Sequence, residues 1–315
     1  MDIISKVNKF LYRSRLIRCI DFLDFSLLLP SLRFFPVRMS EQLSKYRGLV
    51  RYFLDMDWRS ISIGQPHIRH DTRQALSMIC TNDSDLENKV VQRFINQSRE
   101  EAEAVFFAGK NKWPREIIFD NIEPLITARE TGKGLILLSS HYDSCVAGIT
   151  FLGRKGFRVN IFFDETVYDP RVPKYLQRFF RKKYGNIAKY LNGGIFISMR
   201  NIREVYGRLL KGETFIVVSD VLNFPQGIKV KFMNGEYLAP DSTLRMALKT
   251  NSYLGAFVAL HEGNGVYRMV FASPTLVSEA EDPEKIFRGC YAFLNDCMMK
   301  SPERWWVCDK LLEFK

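Results

Sequence analysis

Three short apolar runs narrow the folds open to this chain more than any other feature. They are "GLILLSS" at 134–140, "RVNIFF" at 158–163 and "TFIVVS" at 214–219. Each is short and bounded like a strand; the first and third are apolar enough to read as strands buried on both sides, and the second reads as a strand between them. Between them lie segments with helical character. One spans 144–153, and a second opens at Pro170 and Pro173 and runs through Phe180. The third, "FISMRNIREVYGRLLKG", has Ser198 as its expected N-cap and Gly212 as its stop. Buried strands alternating with helices predict an α/β fold, with a mostly parallel central sheet flanked by helices.

The pattern continues beyond the third run. "GIKVKFM" reads as a strand, "PDSTLRMALKTN" as a capped helix, and "YLGAFVALH" with "GVYRMVFAS" as a hairpin turning at Glu262-Gly263-Asn264-Gly265. Residues 282–300 are helical in pattern. Upstream, residues 40–112 look helical, with breaks near 64–66 and 81–84, and Asp85 can cap the helix that carries Val90, Val91, Phe94 and Ile95. The expected organisation is an amphipathic arm over 1–37 and a single domain over 38–315. That domain divides into a helical lead-in over 38–112, an α/β core over 113–278 and a C-terminal helix over 279–315.

The arm bears on partners. Ile3, Ile4, Val7, Phe10, Leu11 and Ile17 recur at helical spacing, while Lys6, Lys9, Arg13, Arg15 and Arg18 fall mostly elsewhere. With the apolar segment 20–37 behind it, such a helix can lie in a membrane interface or pack on the protein's own core; the basic residues favour an anionic membrane surface. It is not expected to span a bilayer. "CIDFLDFSLLLPSLRFFPV" contains Asp21, Asp24, Pro30 and Arg33, and each Asp near the bilayer centre would cost roughly 2.5–3.5 kcal/mol. The first residues show no short apolar core followed by a cleavage site, so no signal peptide is expected.

Lys and Arg number 46 against 35 Asp and Glu, a formal charge of +11 that suits an anionic partner. Basic residues are not interleaved with aromatics on any strand pair, so no nucleic-acid partner is expected. The six cysteines show no C-x-x-C spacing and read as buried thiols in a reducing compartment. His67 and His70 form an isolated H-x-x-H, read as polar surface rather than metal ligands.

The candidate chemistry gathers where the first apolar run ends, in Ser139-Ser140-His141-Tyr142-Asp143-Ser144. Ligands of open α/β sheets collect at the carboxyl ends of strands, and both His141 and Asp220 follow such ends. An imidazole there can take a proton from a bound hydroxyl at neutral pH, provided its other nitrogen has an acceptor. Asp143 can be that acceptor, or it can cap the helix behind it. Cys145, inside "SCVAGI", reads as a small buried apolar residue rather than a nucleophile.

The segment "SSHYDSCVAG" resembles the first motif of the lysophospholipid acyltransferase superfamily, and is most similar to the bacterial lipid A late acyltransferases of the lauroyl and myristoyl type. Those carry a His, four residues, then Glu or Asp at the end of the first core strand. "RFINQSREEAEAVFF" resembles the helix before their core, the stretch from Gly212 to Phe271 their Asp-containing turn and Pro-x-Gly stretch, and "SPERWWVCDKLLEF" their C-terminal Pro-x-x-Trp-x-Trp segment, with Trp305 and Trp306 adjacent here. The order of these motifs over roughly residues 50–315 carries the resemblance.

The resemblance implies a glycerolphosphate-acyltransferase-like fold and a catalytic His141. It places Asp220 at the start of the second motif's turn, and Pro225, Gln226 and Gly227, with Lys229 beyond, on the substrate surface. The family's acid falls on Val146, which cannot orient an imidazole, so Asp143, Asp164, Glu165 and Asp220 are the candidate partners. Asp164 and Glu165 stand where the family often has an Arg, which points to an acceptor other than an ordinary lipid A precursor.

The implied function is transfer of a fatty acyl group from an acyl thioester to a hydroxyl or amine of a lipid-like acceptor. Acyl-CoA or an acylated carrier protein would be co-substrate, with no cofactor and no metal. The enzyme would sit peripherally on the cytoplasmic face of the inner membrane. Arg200, Arg203, Lys229 and Lys231 are candidates for the donor's phosphates, and solvated surface charge is the plainer reading of them. The competing expectation is a membrane- or lipid-binding member of the same fold that has lost turnover, as Val146 suggests.

Overall fold

The computed structural model describes residues 15–62, 67–80, 84–106, 113–163, 169–197, 201–222 and 224–314. Asp164, Glu165, Ser198 and Arg200 therefore lie outside the described residues. The helices are α1 (Arg15–Leu23), α2 (Val37–Leu54), α3 (Trp58–Ser62), α4 (Ile68–Ile79), α5 (Leu86–Phe106), α6 (Glu123–Glu130), α7 (Cys145–Arg154), α8 (Lys174–Leu191), α9 (Ile202–Leu209), α10 (Ser242–Thr250) and α11 (Pro283–Met299). The strands are β1 (Glu116–Asp120), β2 (Leu135–Ser139), β3 (Val159–Phe163), β4 (Asn192–Ile197), β5 (Thr214–Val218), β6 (Ile228–Phe232), β7 (Gly235–Ala239), β8 (Tyr253–Gly263) and β9 (Val266–Leu276).

Seven strands form one sheet in the order β1-β9-β8-β2-β5-β3-β4. Every neighbouring pair is parallel except the β8–β9 hairpin. The β6–β7 ribbon stands apart as a second, antiparallel sheet. The expected mixed α/β architecture is thus present.

The period-2 alternation of a strand sends neighbouring residues to opposite faces, and the core divides accordingly. Ile136, Leu138, Phe215, Leu254 and Val258 pack in one layer under α4, α9, α10 and α11. Leu135, Leu137, Ile216, Phe257 and Ala259 pack in the other under α7 and α8. Full burial of such side chains is worth roughly 1.5–3 kcal/mol each, so the three buried runs anchor both layers at once.

Several expectations change in detail. "FISMRNIREVYGRLLKG" is not one helix, because Phe196 and Ile197 close strand β4 and α9 begins only at Ile202. Asn192-Gly193-Gly194 disguises that strand. The glycine is needed at 193, where a Cβ would come within 2.2 Å of the Val159 carbonyl oxygen on β3. The helix opened by Pro173 continues past Phe180 to Leu191, where Asn192 adopts a left-handed φ of 55° and ends it. The C-terminal helix is α11 alone. It starts on an Asp282 cap to the Lys285 N–H with Pro283 in its first turn, and ends at Met299. After it, short 3₁₀ turns fold back and bury Trp305 completely.

Ile3, Ile4, Lys6, Val7, Lys9, Phe10, Leu11 and Arg13 of the arm lie outside the described residues, and the part from Arg15 onward does two things at once. α1 and the π-helical turn Asp24–Leu28 lie against α2, with Asp21 and Asp24 buried. Asp24 accepts from Arg47 at 2.7 Å and from Arg51 at 2.8 Å, and Arg47 also meets Glu101 of α5 at 2.7 Å. Leu16, Phe22, Leu27, Phe34 and, on α2, Phe53 are nevertheless exposed. Among the described residues no helix is long and apolar enough to cross a membrane.

Candidate active site

The parallel register of β2 on β5 builds the site. Ser139 pairs with Val218 at the carboxyl end of both strands. Two residues further along each chain stand His141 and Asp220, side by side. The Ser219 N–H continues the ladder to the Ser139 carbonyl at 2.9 Å. Asp220 is fully buried and accepts three hydrogen bonds. Its Oδ1 faces His141 Nδ1 at 2.8 Å. Its Oδ2 accepts from the His141 backbone N–H at 2.7 Å and from Trp305 Nε1 at 2.7 Å. A carboxylate on Nδ1 fixes the tautomer that carries its proton there, so the Nε2 lone pair is free to act as a base. The ring stays about one-third exposed and meets Trp306 edge to face, with centroids 4.9 Å apart.

Asp143 has a different position from either one expected for it. Its carboxylate is fully buried between two arginines, Arg99 of α5 and Arg304, the latter at 2.6 Å. It also accepts from the His261 N–H at 3.1 Å and from Ser144 Oγ at 3.3 Å. It does not cap α7, whose N-cap is Ser144. Asp143 takes a left-handed φ of 49°, and its own N–H donates to the Arg304 carbonyl at 2.9 Å. This residue therefore ties the loop of His141 to the C-terminal segment, while Trp306 N–H donates to the His141 carbonyl at 3.2 Å.

Around this knot the charges are shifted. Burial pushes the Glu103 carboxyl up to about 8, against the opposing pull of Arg99. Its Oε1 accepts from Ser144 Oγ at 2.8 Å and from Tyr267 OH at 3.1 Å. Burial likewise pushes the Cys145 thiol up to about 12, so it stays a thiol at neutral pH, as the small buried apolar residue expected there would.

His141 opens onto a cavity of about 920 Å³ at the carboxyl edge of the sheet. One part of its wall is apolar, formed by Cys145, Val146 and Ile149 of α7, Ile161 of β3, Ile187 of α8 and Ile216 of β5. Glu100 and Lys183 also line it. Another part draws on α9 and α10, with Tyr206, Ser242, Thr243, Arg245 and Lys249. Such a space, mostly apolar with a few convergent polar groups, suits a chain with a polar head.

The residues expected on the substrate surface separate here. Among the described residues of the loop after β5, Val221 and Phe224 line the cavity, whereas Pro225, Gln226 and Gly227 are exposed beyond it. Gly227 has a backbone reason: a Cβ there would come within 2.0 Å of the Ala239 carbonyl oxygen. Lys229 projects from β6 and pairs with Glu236 at 2.6 Å. Sequence reasoning passed over Trp305 as an Asp220 ligand, and Arg245 and Lys249 on the cavity wall. The last two carried a legible signal, an i, i+4 basic pair in a capped helix.

Among the described residues no group of three or more His, Cys, Asp and Glu is arranged to hold a metal ion. A sequence model of the family described as bacterial lipid A biosynthesis acyltransferase matches residues 85–313 of this chain. No curated protein matches. Among solved structures, the 1-acyl-sn-glycerophosphate (LPA) acyltransferase PlsC from Thermotoga maritima is similar over 84% of this chain and 97% of that one, at 15% identity and a TM-score of 0.37. A superposition that loose carries nothing about the site.

Proposed function

This chain belongs to the family of bacterial lipid A biosynthesis acyltransferases, and from that premise we propose that it moves a fatty acyl group from a thioester to a hydroxyl or amine of a lipid-like acceptor, with His141 as general base. The observation that carries the role of His141 is the Asp220 carboxylate at 2.8 Å from Nδ1, beside an open cavity. In the proposed reaction Nε2 takes the acceptor's proton as its oxygen or nitrogen bonds to the thioester carbon. The C–S bond then breaks, and the imidazolium returns the proton to the departing thiolate. Asp220 stabilises the imidazolium in between. A positioned base contributes about 10²–10⁴-fold. Asp220 thereby takes the place of the acid that the family's motif would put at Val146.

The apolar wall suits the acyl chain, and Arg245 and Lys249 offer charge to the phosphates of a coenzyme A or carrier-protein donor. The exposed apolar residues of the arm, with the net charge of +11, suit peripheral binding to the anionic cytoplasmic leaflet.

The test uses purified protein, acyl-CoA and acyl-carrier-protein donors and a bacterial lipid extract, with new acylated species followed by mass spectrometry. Wild type should transfer the acyl group, and His141→Ala should lose the base's full about 10²–10⁴-fold. No product with either donor, or an undiminished His141→Ala, refutes the reading. The first of those outcomes, joined to retained lipid binding, is what the apolar Val146 would mean if this member had lost turnover.

A further inference from the structure

Glu100 of α5 and Lys183 of α8 form an ion pair, 2% and 6% exposed, yet both line the cavity whose surrounding wall is Val146, Ile149, Ile161 and Ile187. A plain hydrocarbon lying there would close off what access to water the two charges retain and offer no hydrogen bond in return. Lys183 Nζ carries three N–H bonds, and Glu100 Oε1 is its one hydrogen-bond partner among the described residues. Burial works to depress the Lys183 ammonium, but Glu100, with Tyr184 and Glu101 beyond it, holds it above its ordinary value, so Nζ keeps its charge. A neutral group that can accept from Nζ and donate to the carboxylate would satisfy both without disturbing their balance. An added carboxylate or ammonium would not.

We propose that Glu100 and Lys183 recognise a hydroxyl on the bound acyl chain, so that the cavity prefers a hydroxylated fatty chain to the plain chain of equal length. This rests on the acyl chain occupying the cavity, as in the function proposed above. The hydroxyl accepts a hydrogen bond from Lys183 and donates one to Glu100, while the isoleucines and Val146 pack the methylenes on either side. Both residues act on binding, and neither touches the reacting atoms.

The experiment measures affinities of wild type and His141→Ala by calorimetry for a set of fatty acids of one length, one plain and the others with a single hydroxyl moved along the chain. One hydroxylated member should bind about tenfold more tightly than the plain acid. In Glu100→Gln/Lys183→Met, which removes both charges so that neither is stranded, that advantage should vanish. Equal affinities across the set in wild type overturn the proposal, whatever the fate of the double variant. No binding of any member also overturns it. A preference that persists in a double variant with unchanged melting temperature leaves the pair as a tie between α5 and α8 and nothing more. Preferential binding without acyl transfer would remove the transferase reading alone, and transfer without preference would remove this one alone.

Discussion

Replacing Asp220 with asparagine should silence the site while leaving the fold in place, and the geometry says why. Oδ2 accepts two hydrogen bonds, from the His141 backbone N–H at 2.7 Å and from Trp305 Nε1 at 2.7 Å, while Oδ1 faces Nδ1 at 2.8 Å. An amide has one oxygen to place. Turned toward the two N–H donors, it keeps both satisfied, whereas the opposite flip sets an NH₂ group against them. The favoured orientation therefore puts NH₂ on Nδ1. That nitrogen must then accept, the ring proton moves to Nε2, and the base is lost. The imidazolium also loses its counter-charge. In a Ser-His-Asp triad the equivalent change costs about 10⁴-fold in turnover, or about 5.5 kcal/mol of transition-state stabilisation, and a loss of that order is expected here. The assay is initial-rate acyl transfer over a range of donor and acceptor concentrations, with thermal unfolding beside it. The melting temperature should stay near wild type, since no buried donor is orphaned. The double variant His141→Ala/Asp220→Asn should be no worse than His141→Ala alone, because both changes remove one device. An Asp220→Asn protein that keeps a tenth of wild-type turnover would refute the reasoning.

The other predictions concern the supports of the site and the arm. Asp143→Asn leaves Arg99 and Arg304 facing an uncharged amide in a buried position; breaking such a pair costs about 3–5 kcal/mol, so urea unfolding should shift far more than kcat/KM in the protein that remains folded. Glu103 is held protonated to about 8 in the folded protein against an ordinary value of 4.5. The folded state thus binds its proton more tightly than the unfolded one, and stability from this group is full below pH 4.5 and lost as pH rises toward 8. Glu103→Gln should remove that decline from a series of unfolding curves between these limits, and an unchanged pH dependence would count against it. Finally, Leu16→Ser, Leu27→Ser and Phe34→Ser together remove exposed apolar surface without touching the Asp24–Arg47 contact. Flotation with anionic vesicles should fall sharply at constant melting temperature, and undiminished flotation would show that the arm does not hold the membrane.

The sequence by itself determined the class of fold, because short apolar runs such as Leu135–Leu138, bounded and alternating with helical segments, read as strands covered on both faces. It also placed His141 at a strand's carboxyl end, since a run that stops at Ser139-Ser140 marks the edge of the sheet. Strand β4 was hidden by its two glycines, of which Gly193 serves backbone approach to β3 rather than side-chain packing, and β1 by its half-buried position at the sheet's edge. The partner of the imidazole was beyond any local pattern. Asp143 is near in sequence and was the natural candidate, yet a left-handed φ and two arginines from distant segments turn its carboxylate away. Asp220 is 79 residues off and reaches the ring because β5 lies next to β2 in register. Strand order is a property of how the whole chain packs, set by which buried faces find each other, and no spacing along the sequence encodes it. The same holds for Glu100 and Lys183, one on α5 and one on α8, which become neighbours only when both helices pack against α7.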